Sequence, residues 1–172
     1  NSDDPDINGA ADPQVAGDED PTRVIIESAP LFKVEKTSAD LTGEPDSLMP
    51  GDILRYTLRV ENIGNENMLE ASLRDQVPAN TTYVAGSTTL NGVALDDVDG
   101  STPLGATLVI QSPGAEAGEL LADPSASGSQ AALITFDVTI NDVNDGTVIS
   151  NQGFANGVGA GGENTAVDEQ PS

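Results

Sequence analysis

Ile53-Leu54-Arg55-Tyr56-Thr57-Leu58-Arg59-Val60-Glu61-Asn62 decides the fold. Leu54, Tyr56, Leu58 and Val60 alternate with Arg55, Thr57, Arg59 and Glu61, the two-residue period of a strand with one apolar and one polar face. Met49-Pro50-Gly51-Asp52 turns the chain into this strand and Asn62-Ile63-Gly64-Asn65 turns it out again. The same alternation recurs on both sides. Upstream, Phe32 and Val34 alternate with Lys33 and Glu35 after a break at Ala29-Pro30, since proline cannot donate to a ladder. Downstream, Leu69, Ala71 and Leu73 lead to Asp75-Gln76-Val77-Pro78. Short β-rich runs follow at Thr81 to Ala85, Ser87 to Leu90 and Gly92 to Leu95, the last two joined by the hairpin signal Asn91-Gly92. Thr107 to Ile110 is a further strand, and Ser112 to Gln130 is a long Gly-, Ala-, Ser- and Pro-rich loop. Ala132 to Ile140 is a long one-sided strand, turned at Asn144-Asp145-Gly146 into Thr147 to Asn156. No segment has the period of a helix. Short alternating strands with frequent turns predict an all-β sandwich of about seven strands.

Composition narrows what such a sandwich does. The chain has 172 residues, enough for one domain of about 130 residues plus extensions. Three Phe, two Tyr and no Trp leave the core to Val, Leu, Ile and Ala. The net charge is −23, and all six basic residues lie between Arg23 and Arg74. Such a surface repels nucleic acid and anionic lipid, which are bound by clustered Lys and Arg, and it favours divalent cations. Without cysteine, no disulfide staples the fold. No apolar run is long enough to span a bilayer, so membrane insertion is not expected. The chain begins at Asn1 rather than Met, which suggests an exported, processed protein or a piece of a longer one.

Histidine is absent along with cysteine, which removes the usual general bases and nucleophiles, and no carboxylate pair stands out from the surrounding acids. No enzymatic activity is expected. A metal site is a stronger candidate. Asp4-Pro5-Asp6-Ile7-Asn8-Gly9 opens like a D-x-D-x-N-G calcium loop, with Asp12 at its ninth position, so Asp4, Asp6, Asn8 and Asp12 are the candidate Ca²⁺ ligands. The twelfth position is Val15 rather than Glu, which leaves the motif incomplete. The plainer alternative is an acidic, soluble spacer. Asp96, Asp97 and Asp99, or Asp142 with Asn144 and Asp145, are weaker candidates.

Six landmarks in order resemble the conserved-repeat family of bacterial and archaeal surface proteins, known as domain of unknown function eleven. They are Val34 to Thr37, Pro50 to Leu58, Val60-Glu61-Asn62-Ile63-Gly64, Asp75 to Ala79, Thr82-Tyr83-Val84 and Ile149-Ser150-Asn151-Gln152-Gly153. They span about Leu31 to Asn156. The resemblance implies an Ig-like sandwich, a secreted or cell-surface location, a structural or adhesive role and no catalytic residues. Some surface Ig-like domains also join a first-strand Lys to a last-strand Asn beside a buried acid. Lys33 or Lys36, Asn151 or Asn156, and Asp75 supply those residue types. The bland alternative makes both lysines solvated and has Asn151 satisfy backbone groups.

The order of the pieces predicts how the sandwich is completed. From Pro30 the strands run out at Gly157, followed by an acidic Gly-rich tail at 158–172. In tandem members of that family, an acidic connection and a terminal strand follow the Asn-Gln landmark. Here their counterparts lie at the front, as an acidic linker at 1–21 and the strand-like Thr22 to Ser28 within 22–29. This order predicts that Val24, Ile25 and Ile26 form the subunit interface, entering a neighbour's 30–157 sandwich as its missing strand. Repeated head to tail, that contact makes an extracellular homopolymer, a pilus-like fibre built by donor-strand exchange. The alternatives are one repeat of a giant tandem surface protein and a calcium-dependent adhesin or ligand-binding module.

Overall fold

The computed structural model describes residues 28–43, 47–159 and 164–168. Its ten strands are β1 (Phe32–Asp40), β2 (Ile53–Asn62), β3 (Met68–Asp75), β4 (Thr81–Tyr83), β5 (Thr89–Leu90), β6 (Val93–Ala94), β7 (Leu108–Val109), β8 (Ala132–Ile140), β9 (Gly153–Gly159) and β10 (Asn164–Asp168). Among the described residues the helical structure is a single 3-10 turn, Pro103–Gly105. All named pairings are antiparallel. One sheet runs β1-β2-β8-β5-β6, with β4 also on β8, and the other runs β10-β9-β3-β7.

Both sheets point their alternate residues at one core. Leu54, Tyr56, Leu58 and Val60 of β2 are buried, as are Ile134, Phe136 and Val138 of β8 and Ala71 and Leu73 of β3. Tyr56 and Phe136 face each other in register and stack with centroids 5.3 Å apart. In β2 and β8 the alternation read in the sequence is the alternation of burial; in β3 it is broken, since a register shift between Leu69 and Ser72 leaves Leu69 41% exposed and puts Met68 in the core in its place.

Asn91-Gly92 closes the β5–β6 hairpin with φ of 50° and 80°, the left-handed pair that a two-residue type I′ turn needs. The loop expected at Ser112 to Gln130 contains no named strand, yet it is tied to the body. Leu120 is fully buried and exchanges backbone hydrogen bonds with Met68 at 2.9 Å in both directions.

Two boundaries differ from the sequence expectation. The final long strand starts at Gly153, not Thr147, because Asn144-Asp145-Gly146 and the residues after it form an irregular turn. The sandwich also does not end at Gly157. Strand β9 continues to Gly159, and Asn164–Asp168, expected to belong to a tail, pairs along Phe154–Val158. The outer edge of β9, where the vacancy was expected, is therefore occupied by this chain's own β10. The open edge of the neighbouring sheet is β1, which has no strand on its outer side among the described residues.

Candidate functional site

The expected calcium ligands Asp4, Asp6, Asn8 and Asp12 and the expected interface residues Val24, Ile25 and Ile26 all lie outside the described residues. The weaker acidic candidates are inside them. Asp97 accepts the Tyr83 hydroxyl at 2.7 Å and the Gly86 N–H at 2.9 Å, so its carboxylate pins a turn. Asn144 uses its carbonyl to accept the Thr147 hydroxyl at 2.7 Å. Among the described residues no three acidic side chains converge as a metal site would require.

What the fold does assemble is two buried polar sites, toward opposite ends of the sandwich. The first is built on Asn62, the last residue of β2, which is fully buried. Its Oδ1 accepts from Leu31 N at 3.0 Å and Gly64 N at 3.1 Å, while its Nδ2 donates to Glu66 O at 2.7 Å and Leu120 O at 3.2 Å. One side chain thus joins the incoming chain, its own turn and the long loop. Two more contacts lock the incoming segment: Ala29 N donates to Asn65 Oδ1 at 3.0 Å and Ile63 N to Leu31 O at 2.8 Å. Gly64 makes room for this crossing, since a Cβ there would overlap the Ala29 carbonyl oxygen and come within 2.6 Å of Leu31 N. The Asn-Ile-Gly signal was legible as a turn; its role as the clamp on the start of the domain was not.

The second site crosses the core. Lys36 lies on β1 and Asp75 ends β3 in the other sheet, yet Lys36 Nζ donates to Asp75 Oδ2 at 2.7 Å. Both side chains are buried, at 5% and 0% exposure. A buried pair of this kind is held by mutual attraction against a large desolvation cost. Lys36 Nζ also lies 5.4 Å from the centroid of the Tyr56 ring. Burial first, and then the charge of Asp75, push the Tyr56 phenol above its ordinary value, which keeps it protonated. Lys33, the other first-strand lysine, is 42% exposed and pairs with Glu35 at 3.0 Å.

The two asparagines separate as sharply. Asn156 is exposed, whereas Asn151 is partly buried and its Nδ2 is shielded from solvent with no hydrogen-bond partner. Such an orphaned amide is uncommon and costly in a folded protein. Burial alternates from Asn151 through Gly153, Ala155 and Gly157, which places Asn151 on the core-facing side of the run leading into β9.

A groove of about 460 Å³ opens beside this second site, lined by Ser38, Leu48, Met49, Tyr56, Val143 and Ile149 among others. Its walls are largely apolar, with Leu48 and Met49 themselves more than half exposed. On the solvent-facing side of the sheet, Arg55 makes a two-pronged ion pair with Asp137 at 2.8 Å for each contact, and Arg59 bonds the buried Glu61 at 2.8 Å. These charges are consumed by pairing, across strands for Arg55 with Asp137 and along β2 for Arg59 with Glu61. No protein-family model matches the chain, and no curated protein matches it in sequence.

Proposed function

We propose that this chain is a structural subunit of an extracellular filament, an Ig-like sandwich related to the conserved-repeat surface family, joined head to tail by a strand from its neighbour. The observation that carries this reading is β1: nine residues, at the edge of its sheet, with no strand on its outer side among the described residues. Long open edges invite pairing with another chain. The segment just upstream carries Val24-Ile25-Ile26, β-branched residues suited to a buried added strand.

Since β10 covers β9, the donor strand is assigned to the side of the sandwich where β1 and β10 form the two sheet edges. The clamp at Ala29 to Leu31 gives that strand a fixed point of departure from its own domain. This same clamp favours a second form of the reading, in which the subunits are covalent repeats of one long surface protein. The absence of His and Cys agrees with a role without turnover. Calcium, bound by Asp4, Asp6, Asn8 and Asp12, is proposed to relieve the repulsion among the seven acids of the leader.

Electron microscopy of the purified full chain tests the proposal. Filaments are expected, lost on deleting residues 1–29 and capped by a Thr22 to Ser28 peptide. Monodisperse particles from the full chain at filament-forming concentration would overturn it. Calcium is expected to raise the melting temperature relative to chelator by mass action, and coincident melting curves would remove the ion from the account.

A further inference from the structure

Lys36, Asp75 and Asn151 were three candidates among several of their type, and the fold selects these three independently of how subunits join. Lys36 and Asp75 are buried together at 2.7 Å. Register brings Asn151 to the same place. Asp75 is the Cα partner of Gly153, two residues after Asn151. Two residues before Asn151, Ile149 shares a groove with Tyr56, whose ring faces Lys36 Nζ. Asn151 is thus bracketed by a residue beside Tyr56 and a residue opposite Asp75, one strand repeat from each. Its Nδ2 is buried, with no hydrogen-bond partner among the described residues.

We infer that Lys36 and Asn151 form an intramolecular amide crosslink, with Asp75 carrying the protons. The Lys36 ammonium passes one proton along its hydrogen bond to Asp75, leaving a neutral amine beside a neutral acid. The amine lone pair attacks Asn151 Cγ, forming the Nζ–Cγ bond and a tetrahedral adduct. Asp75 takes the second Nζ proton as it delivers the first to the departing Nδ2, and the Cγ–Nδ2 bond breaks. The nitrogen departs as ammonia carrying one of the two protons lost by Lys36, and the other stays on Asp75, which ends as a neutral acid beside the new amide. No oxidant or cofactor enters the balance. A buried site suits each step: low polarity favours the uncharged amine over the ammonium, and a fixed geometry replaces diffusion of the nucleophile. The product turns a costly buried ion pair and an orphaned amide into one neutral bond.

Intact-mass spectrometry of the purified full chain tests this directly. The protein is expected to be lighter than its sequence mass by one ammonia, and a protease digest is expected to yield a branched peptide joining the Lys36 and Asn151 segments. A cyclic imide at Asn151 would lose the same ammonia without a branch. The Lys36→Arg variant separates the two, because it should return to full mass if the crosslink is correct and stay light if the imide is. Asp75→Asn should also stay at full mass. A wild-type chain at full sequence mass, or a light chain with no branched peptide, overturns the inference, and neither result needs a variant to fold. Neither result bears on whether the protein forms filaments.

Discussion

The sandwich shields the amide nitrogens of two asparagines toward opposite ends, and they are handled in opposite ways. Asn62 has every polar atom engaged, in four hydrogen bonds to four backbone groups. Asn151 has its amide nitrogen sealed from solvent with no hydrogen-bond partner among the described residues. A satisfied buried amide is architecture: it specifies which segments meet and does nothing else. An unsatisfied one beside a buried lysine and acid stores a cost that a reaction can release. The contrast separates the end of the domain that holds the chain from the end that carries chemistry.

The most severe way to break the comparison is at the reactive end. Lys36→Met removes the crosslink and leaves Asp75 buried without its partner on β1, and should cost about 3–5 kcal/mol, read from denaturant unfolding. Lys36→Met combined with Asp75→Leu should recover only the part of that loss that comes from a buried acid deprived of its lysine, the rest measuring the crosslink. At the architectural end, Asn62→Ala strands two backbone N–H groups and two carbonyls and should cost about 3 kcal/mol. It should leave the one-ammonia deficit from its own sequence mass unchanged, which separates a scaffold residue from a reacting one. Gly64→Ala should be milder, about 1–3 kcal/mol, because the incoming strand must shift to admit the methyl group. Its signature is faster proteolysis near Ser28 to Leu31, not global unfolding.

The smallest effect sharpens the comparison by adding a third polar hub, at Asp123 in the long loop. The Ser125 hydroxyl first, then that of Ser127, with backbone N–H groups behind them, pull the Asp123 carboxyl from 3.8 down to about 2. A depressed carboxyl stabilises the fold above its unfolded value and loses that contribution as pH falls through the folded one. Asp123 should therefore contribute fully above about pH 4 and lose its contribution toward pH 2. Asp123→Asn should flatten the acid limb of the stability profile in that window, measured as the urea midpoint against pH.

Much of the fold was legible because burial here follows a two-residue period. The alternations in β2 and β8 gave both strand and facing, and Asn91-Gly92 gave its hairpin. β10 was missed because a Gly-rich approach and acidic surroundings mask a five-residue strand, although Thr165 and Val167 carry the alternation. The start of β9 was set too early because Thr147 to Ile149 has β-forming residues, while the turn at Asn144 and the packing of Ile149 on the core hold it irregular. Glu61 broke the pattern, being buried on the face expected to be polar, with Arg59 over it. At the candidate site, residue types were readable and the choice among them was only partly so. The two-residue period put Lys36 on the face of Phe32 and Val34 and Lys33 on the face of Glu35, a signal that went unused; the partner from the opposite sheet was not readable.

The clamp at Ala29 to Leu31 also decides where force enters. A pull on the N-terminal segment reaches the domain at Asn62, Ile63 and Asn65 and runs on into β1, whose pairing with β2 extends along its whole length. Without a covalent bridge, extension begins by stripping those pairs one after another. With Lys36 bonded to Asn151, tension leaves β1 at its fifth residue and crosses straight to the run that becomes β9. Everything from Thr37 to Ser150 then lies off the load path, and the module transmits tension as a short inextensible link while its core stays at rest.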